Sequence, residues 1–129
     1  SPKMIKKAEK RKIYDHLIVA SIEEYLKTCD FKPDIVVSAD VFVYIGDLRN
    51  IFSFIAKILQ PGGSFVFSTE NTNNADHFIL RESGRFAHNP KYISSLADIF
   101  GFTTSEIQET VIRYEGGKPM NGHVYSLKK

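Results

Sequence analysis

Cysteine is nearly absent from this chain of 129 residues, and its scarcity excludes several classes of structure. The single Cys29 cannot form an internal disulfide, which is typical of a reducing compartment and predicts a cytoplasmic location. One cysteine also excludes a zinc–thiolate cluster, and the spacing of His16, His77 and His123 does not indicate a metal site. We therefore expect no bound metal.

Long apolar runs and a strong charge bias are also missing. No stretch approaches the roughly 20 apolar residues that a membrane helix needs, and no signal peptide is visible. The 17 basic and 15 acidic side chains leave a net charge of +2, which does not indicate nucleic-acid binding. Basic residues cluster between Lys3 and Lys12, a pattern more typical of a solvated helix face than of an anion site.

Glycine-rich loops of the Gly-x-Gly-x-Gly type are absent as well. The residues that flank Gly62-Gly63 and Gly116-Gly117 are typical of turns and not of phosphate-binding or cofactor-binding loops. The length predicts one domain over residues 1–129, burying about 65% of the surface of the unfolded chain.

What the sequence does contain is a strand–helix–strand unit from Phe31 to Glu70. Ile35-Val36-Val37 is a β-branched run that predicts a strand buried on both faces. Asp47 can cap a helix in which apolar residues recur at helical spacing. Pro61-Gly62-Gly63 ends this helix. Ser64 to Thr69 predicts the second strand, so the unit is a right-handed parallel crossover.

The segments before this unit predict two helices and a strand. Ser1-Pro2 has the pattern of an N-cap followed by a first-turn proline. Leu17 to Ala20 predicts a short buried strand. Ser21 and Glu24 have the spacing of a capping box that opens a short helix.

The segments after the unit predict a helix and a terminal hairpin. His77 to Arg81 favours a short strand, and Ser83 to His88 a turn-rich segment. Asn89-Pro90 begins a helix that Gly101 ends. Ile107–Glu115 and His123–Leu127 predict two further strands, joined by glycine-containing turns. The fold class is therefore α/β.

Two motifs resemble those of the class I S-adenosylmethionine-dependent methyltransferases. Asp34 to Asp40 is similar to the fourth strand of that family, and Leu59 to Gly63 to the turn before its fifth strand. Asp40 to Leu48 and the C-terminal segments resemble the predicted methyltransferases associated with tetratricopeptide repeats. The resemblance implies a partial Rossmann-like sheet, mainly parallel, with an antiparallel C-terminal hairpin. It also implies methyl transfer from S-adenosylmethionine to a small-molecule acceptor.

In this family the glycine loop follows the first strand, and an acidic residue that holds the ribose of the cofactor ends the second. This sequence contains neither the glycine loop nor the acidic residue. The resemblance therefore implies a truncated chain that corresponds to the C-terminal part of such a methyltransferase and binds S-adenosylmethionine weakly or not at all. The alternative is an inactive remnant or interaction module that keeps the back half of the fold. A nucleotide-binding oxidoreductase fragment fits Asp34 to Asp40 and Leu59 to Gly63 less well.

The candidate cofactor-binding residues are implied by this resemblance. They are Met4, Ser21, Ile22, Asp40 and Tyr44. For Asp40 the position at a strand end favours binding over a cap for the next segment. For Tyr44 core packing is an equal alternative, and for Ser21 helix capping is the favoured interpretation.

Three polar residues are candidates for the acceptor side. Glu70 ends a strand and could face the acceptor as a catalytic group, or be a solvated loop carboxylate. His88 could act as a base, and Arg85 could bind a carboxylate or phosphate of the acceptor. Surface roles in a loop are the favoured alternative for Arg85 and His88.

An apolar strand without a partner on one side predicts self-association. In the family, the first strand of the sheet pairs beside the strand that corresponds to Ile35 to Ser38. The resemblance therefore implies that one edge of this strand has no partner within the chain. We therefore expect a homodimer that buries strand edges near Ile35 to Ser38 or Leu17 to Ala20.

Overall fold

Six strands form one mixed sheet in the computed structural model, which describes residues 1–129. The helices are α1 (Pro2–Glu9), α2 (Ile22–Thr28), α3 (Arg49–Ile58) and α4 (Pro90–Ile99), with a 3₁₀ turn at Phe42–Tyr44. The strands are β1 (Ile35–Ser38), β2 (Ser64–Asn71), β3 (Phe78–Leu80), β4 (Phe86–His88), β5 (Thr103–Glu115) and β6 (Lys118–Lys128).

Strand β2 is the centre of the sheet. On one side it pairs antiparallel with β6, which pairs antiparallel with β5. On the other side β1 runs parallel to residues 64–67 of β2, and β4 runs parallel to Glu70 and Asn71. Strand β3 lies antiparallel to β4. Two pairings are parallel and three antiparallel, so the expectation of a mainly parallel sheet is corrected to a mixed one.

The direction of the strands brings three strand ends together. Because β6 is antiparallel to both of its neighbours, β5 runs in the same direction as β2, and β1 does so as well. The carboxyl ends of β1, β2 and β5 therefore lie at one edge of the sheet. Open α/β sheets bind their ligands at this edge.

The predicted strand–helix–strand unit is confirmed as β1, α3 and β2. The N-cap of α3 is Leu48 and not the predicted Asp47, whose side chain lies one residue earlier and accepts a hydrogen bond from the backbone N–H of Arg49 at 3.0 Å. After α3, Gly62 adopts a φ of 77°. A Cβ at Gly63 would lie 2.9 Å from the carbonyl oxygen of Asp34, so the turn requires glycine at both positions.

An aromatic core fixes α3 and α4 against one face of the sheet. The ring of Phe67 stacks on Phe65 at 4.5 Å and on Tyr125 at 5.0 Å between centroids. The ring of Phe52 from α3 meets Phe65 edge-on at 5.4 Å. All four side chains are buried, and such pairs add to the free energy gained from burial.

Two expectations about buried strands are wrong. Leu17 to Ala20 forms no strand, and Ile18 and Val19 are more than half exposed, because no strand lies beside them to pair with their backbone. Ile35 and Val37 do lie in β1, but they are 62% and 68% exposed. They project from the sheet face opposite the helices, whereas Val36 packs against the core.

The other predicted helix caps are present, whereas the later strands differ from the prediction. Ser1 and Asn89 are the N-caps of α1 and α4, Ser21 forms the predicted capping box, and Gly101 follows α4 with a φ of 75°. Both late strands are longer than predicted. The segment expected to be turn-rich contains strand β4 and completes a hairpin with β3.

Candidate functional site

Charged side chains from three strands meet at the carboxyl end of the sheet. Asp40 follows β1, Glu70 lies near the end of β2, and Arg113 lies near the end of β5. One nitrogen of the Arg113 guanidinium donates to the Asp40 carboxylate at 2.9 Å, and the other donates to Glu70. Arg113 thus joins two of the residues that the sequence proposed for ligand binding.

Asp40 is held in an unusual backbone conformation. Its φ is 52°, in the left-handed region that few residues other than glycine, asparagine and aspartate adopt. Its backbone N–H donates to the hydroxyl of Ser68 on β2 at 2.9 Å. The side chain remains 48% exposed, so one carboxylate is both fixed at its backbone and open to a ligand.

Glu70 is fully buried and ion-paired. Its carboxylate contacts Arg113 on one side and the Arg81 guanidinium at 3.3 Å on the other. A buried carboxylate needs such partners, because an unpaired charge in a protein interior costs several kcal/mol on the order-of-magnitude scale. The alternative of a solvated loop carboxylate is therefore wrong for Glu70.

The ion-pair network extends to the β3–β4 hairpin. Arg85 contacts the Glu115 carboxylate at 2.8 Å, and Arg113 approaches the same oxygen at 3.6 Å. The network contains three carboxylates and three guanidinium groups, and its formal charge is therefore zero. Arg85 is only 26% exposed, so it is not the free surface residue of the alternative interpretation.

A cavity of about 310 Å³ adjoins this network on the open face of the sheet. Its polar lining comes from Ser38, Asp40, Ser68 and Thr110. Its walls are mainly apolar and come from β1, β2, β5 and β6. An apolar cavity with a few polar groups at a strand end has the form of a small-molecule site.

The other predicted cofactor residues lie elsewhere. Ser21 and Ile22 line a separate cavity of about 300 Å³. The Ser21 hydroxyl donates to Glu24 at 2.7 Å, so the side chain is engaged in the capping box. Met4 on α1 is 64% exposed and Tyr44 is 63% exposed, and neither touches the charged network.

His88 is fully buried at the end of β4. Its Nε2 donates to the backbone carbonyls of Ile45 and Gly46, at 3.0 and 2.9 Å. Burial lowers the pKa of His88, and the two hydrogen bonds oppose that shift. Nδ1 is buried without a partner, so the neutral ring keeps a free acceptor atom. His88 is not the surface loop residue of the alternative interpretation.

Three residues of the network were missed by the sequence analysis: Arg81, Arg113 and Glu115. Arg113 lies beside a bulge in β5, where the register against β6 shifts between Val111 and Arg113. Bulges redirect side chains toward neighbouring elements. The sequence offers only a charged residue near the end of a predicted strand, and its proximity to Asp40 and Glu70 follows from the pairing of the strands.

Neither a group of metal-ligating side chains nor a membrane-spanning helix is found. No group of three or more histidine, cysteine or acidic side chains could hold a metal ion. None of the helices has the length and apolar character to cross a membrane.

Solved structures share this architecture. The N-methyltransferase NodS from Bradyrhizobium japonicum WM9, in complex with S-adenosyl-L-homocysteine, is 21% identical, with a TM-score of 0.74. The match covers 100% of this chain and 63% of NodS, so the chain spans less than two thirds of that neighbour. A SAM-dependent methyltransferase from Methanosarcina mazei is 15% identical, with a TM-score of 0.73 and coverage of 100% and 78%.

A third similar structure is a methyltransferase with two bound small molecules. It is the 1,6-didemethyltoxoflavin-N1-methyltransferase of Burkholderia thailandensis, with bound 1,6-didemethyltoxoflavin and S-adenosylhomocysteine. It is 13% identical, with a TM-score of 0.70 and coverage of 99% and 56%. At these identities the likeness establishes the fold.

The family is established by sequence. No functionally curated protein matches the chain. The family model described as a methyltransferase domain matches residues 1–67, which is more than half of the 129 residues. The chain therefore belongs to this methyltransferase domain family.

Proposed function

We propose that this chain takes part in methyl transfer from S-adenosylmethionine to a small-molecule acceptor, as the C-terminal part of a class I methyltransferase. The observation that carries the proposal is the convergence of Asp40, Glu70 and Arg113 at the carboxyl ends of β1, β2 and β5. A cavity of about 310 Å³ lies beside them, in a chain of the methyltransferase family. Asp40 to Leu48 further favours the group associated with tetratricopeptide repeats.

Asp40 is the proposed main contact of the cofactor. Its carboxylate lines the cavity and is 48% exposed, and a carboxylate suits both ribose hydroxyls and the positive charge of a sulfonium. Met4, Ser21, Ile22 and Tyr44 are proposed as further contacts, supported by the family resemblance. Because no glycine-rich loop is present, we expect weak binding of the cofactor.

Glu70 and His88 are the proposed catalytic groups for an acceptor that must lose a proton. S-adenosylmethionine, when bound, would supply the methyl group, and Glu70 or His88 would take any proton that the acceptor releases. The lowered pKa of His88 keeps its ring neutral at pH 7, and its Nδ1 has no other partner. Arg85 is the proposed contact of the acceptor itself.

The alternative is an interaction module without catalytic activity. Its support is the exposed apolar surface of the first 37 residues, where Ile13, Ile18, Val19, Phe31, Ile35 and Val37 are each more than half exposed. Such a surface is typical of protein association. Cofactor affinity at Asp40 distinguishes the two functions. A cytoplasmic location, inferred from the single Cys29, fits either function.

Calorimetric titration with S-adenosylmethionine tests the proposal. We expect a dissociation constant of about 1 mM, equivalent to about 4 kcal/mol, for the unaltered chain. Asp40→Asn should weaken it by about tenfold, since the carboxylate charge is lost. Asp15→Asn removes the same charge from an exposed loop and is the matched control. Equal affinities of the two variants, or no binding, would support the interaction module instead.

A further inference from the structure

The Glu115 carboxylate lies between two arginine side chains. Its Oε2 is 2.8 Å from Nη1 of Arg85 and 3.6 Å from Nη2 of Arg113. One guanidinium belongs to Arg85, directly before β4, and the other to Arg113 in β5, and the two side chains are only 26% and 14% exposed. Partly buried guanidinium groups bind anions more strongly than exposed ones, because less water competes.

The two arginines differ in their other partners. Arg113 also pairs with Asp40 and Glu70, whereas Glu115 is the only acidic side chain within ion-pair distance of Arg85. The Nε of Arg113 is buried and has no hydrogen-bond partner. A free donor and a singly paired guanidinium leave this part of the network able to accept another anion.

Glu115 is also the member of this pairing that can move. It is the last residue of β5, its side chain is 39% exposed, and Gly116 and Gly117 follow it. Both glycines have a positive φ, and nothing lies within 4 Å of where their Cβ atoms would be. A side chain at the end of a strand, beside an open glycine turn, can swing away without breaking the core.

Space for a ligand lies next to Glu115. An open groove of about 690 Å³ runs between the β3–β4 hairpin and the β5–β6 turn. Arg81, Lys118 and the acidic Glu82 line it together with Glu115, and Met120 adds an apolar wall. Arg85 and Arg113 do not line the groove themselves but contact Glu115, which does. Arg81 and Glu115, which line the groove, belong to the same ion-pair network as Asp40 and Glu70.

We propose that Arg85 and Arg113 form an anion subsite for the acceptor, which the Glu115 carboxylate occupies in the free chain. The ligand class is a small molecule that carries a carboxylate, because a carboxylate already fits between the two guanidinium groups. As an acceptor site the subsite rests on the proposed function. As a site for carboxylates it stands on the contacts of Arg85, Arg113 and Glu115 alone.

The charge balance predicts how the subsite responds to mutation. With Glu115 in place the network is neutral, and a ligand must displace one carboxylate with another. In Glu115→Gln the network keeps three guanidinium groups and two carboxylates, and it therefore carries a net charge of +1. The variant should bind a free carboxylate more tightly than the unaltered chain does.

Amide chemical-shift titration with succinate, in the absence of any S-adenosyl compound, tests the subsite. We expect Glu115→Gln to bind succinate about tenfold more tightly than the unaltered chain, with shifts at Arg85 and Arg113. Adding Arg85→Lys to Glu115→Gln keeps the charge but removes the planar fork, and should abolish most of the gain. Glu109→Gln neutralises an exposed glutamate of the same strand and is the matched control.

Several results would overturn the proposal. Glu115→Gln and Glu109→Gln could bind succinate equally, or Arg85→Lys could leave the gain intact. A parallel titration with inorganic phosphate that shows the tighter binding would contradict the carboxylate class. Circular dichroism establishes that each variant is folded. The titration contains no S-adenosyl compound and therefore reports on the carboxylate subsite alone. Failure of Glu115→Gln to bind succinate would refute the subsite, and it would not bear on the proposed cofactor site.

Discussion

Gly122 shows how a single residue controls the pairing of the central strands. It lies on β6 opposite Glu70 of β2, and a Cβ at this position would lie 2.1 Å from the carbonyl oxygen of Thr69. The backbones of β2 and β6 can therefore pair only if residue 122 has no side chain. Since Glu70 lies at this position of the ladder, the candidate site depends on the same glycine.

Replacing Gly122 with alanine should destabilise the chain strongly. We expect Gly122→Ala to lower the free energy of unfolding by about 3 kcal/mol or more, because the strand must move away from Thr69. Denaturant unfolding measures the loss. Gly117→Ala is the control: its φ of 79° is unfavourable for alanine but its surroundings are open, so about 1 kcal/mol is expected. Similar losses in the two variants would show that the contact with Thr69 is unimportant.

The buried ring of His88 predicts a dependence of stability on pH. Burial lowers the pKa of His88 below its ordinary value of 6.5, so the unfolded chain binds the proton more readily than the folded one. This contribution to stability is complete above the unfolded pKa and is lost as pH falls from there toward the folded pKa. The loss can reach about 1.4 kcal/mol per pH unit.

A glutamine at position 88 should remove most of this dependence. We expect the unfolding free energy of His88→Gln to change less between about pH 7 and pH 5 than that of the unaltered chain. At pH 8 the variant should be less stable by about 1 kcal/mol, because glutamine does not fill the space of the imidazole ring. His16 is exposed, so His16→Gln should keep the slope of the unaltered chain. An unchanged slope in His88→Gln would contradict the assignment.

Some residues of the candidate site could be predicted from the sequence, and others could not. Asp40 and Glu70 were identified because each follows an apolar run whose end could be read from the sequence. Arg113 was missed because its contact with them depends on the position of β5 beside β6 and on a bulge in that pairing. Long-range register of this kind leaves no local pattern in the sequence.

At the scale of elements, helices α3 and α4 are joined by a polar contact. The Tyr92 hydroxyl on α4 accepts a hydrogen bond from the backbone N–H of Leu48 at 2.9 Å and donates to Asp47 at 3.1 Å. Burial raises the pKa of Tyr92 to about 12, so the hydroxyl stays protonated and can donate. The hydrogen bonds from Arg49 lower the pKa of Asp47 to about 2.

Removing this hydroxyl should loosen the start of α3. We expect Tyr92→Phe to lower the free energy of unfolding by about 1–3 kcal/mol, because the buried N–H of Leu48 loses its partner. Amide exchange at Leu48 should accelerate more than exchange in the core of the sheet. Tyr114 is 71% exposed, so Tyr114→Phe should change neither quantity. Unaltered exchange at Leu48 in Tyr92→Phe would refute the contact.

Helices and turns were easier to predict than strands. Caps and helix ends depend on a few adjacent residues, and Ser21, Asn89, Gly62 and Gly101 all act as the sequence indicated. Strands depend on partners that are distant in the sequence. Leu17 to Ala20 has the composition of a strand but no partner, and Phe86–His88 looks like a turn but pairs with both β2 and β3.

At the scale of the whole molecule, the free edge of β1 predicts association of two copies. β1 pairs only with β2, and Ile35 and Val37 are mostly exposed beside the unpaired edge. We expect light scattering to report a homodimer at tens of micromolar. Val37→Lys should yield monomers without unfolding the chain, whereas Val36→Lys should unfold it, because Val36 packs against the core. A folded monomer of the unaltered chain would contradict this prediction.

We propose that the carboxyl ends of β1, β2 and β5 form the cofactor end of a methyltransferase site. Mapping amide chemical shifts during titration with S-adenosylhomocysteine tests it most directly, because shifts locate even a weak ligand. We predict that the largest shifts fall at Asp40, Ser68 and Arg113, and that Arg49 on the exposed start of α3 does not respond. Two results would contradict this proposal: shifts confined to residues outside this strand edge, or no shifts even when S-adenosylhomocysteine is added up to its solubility limit.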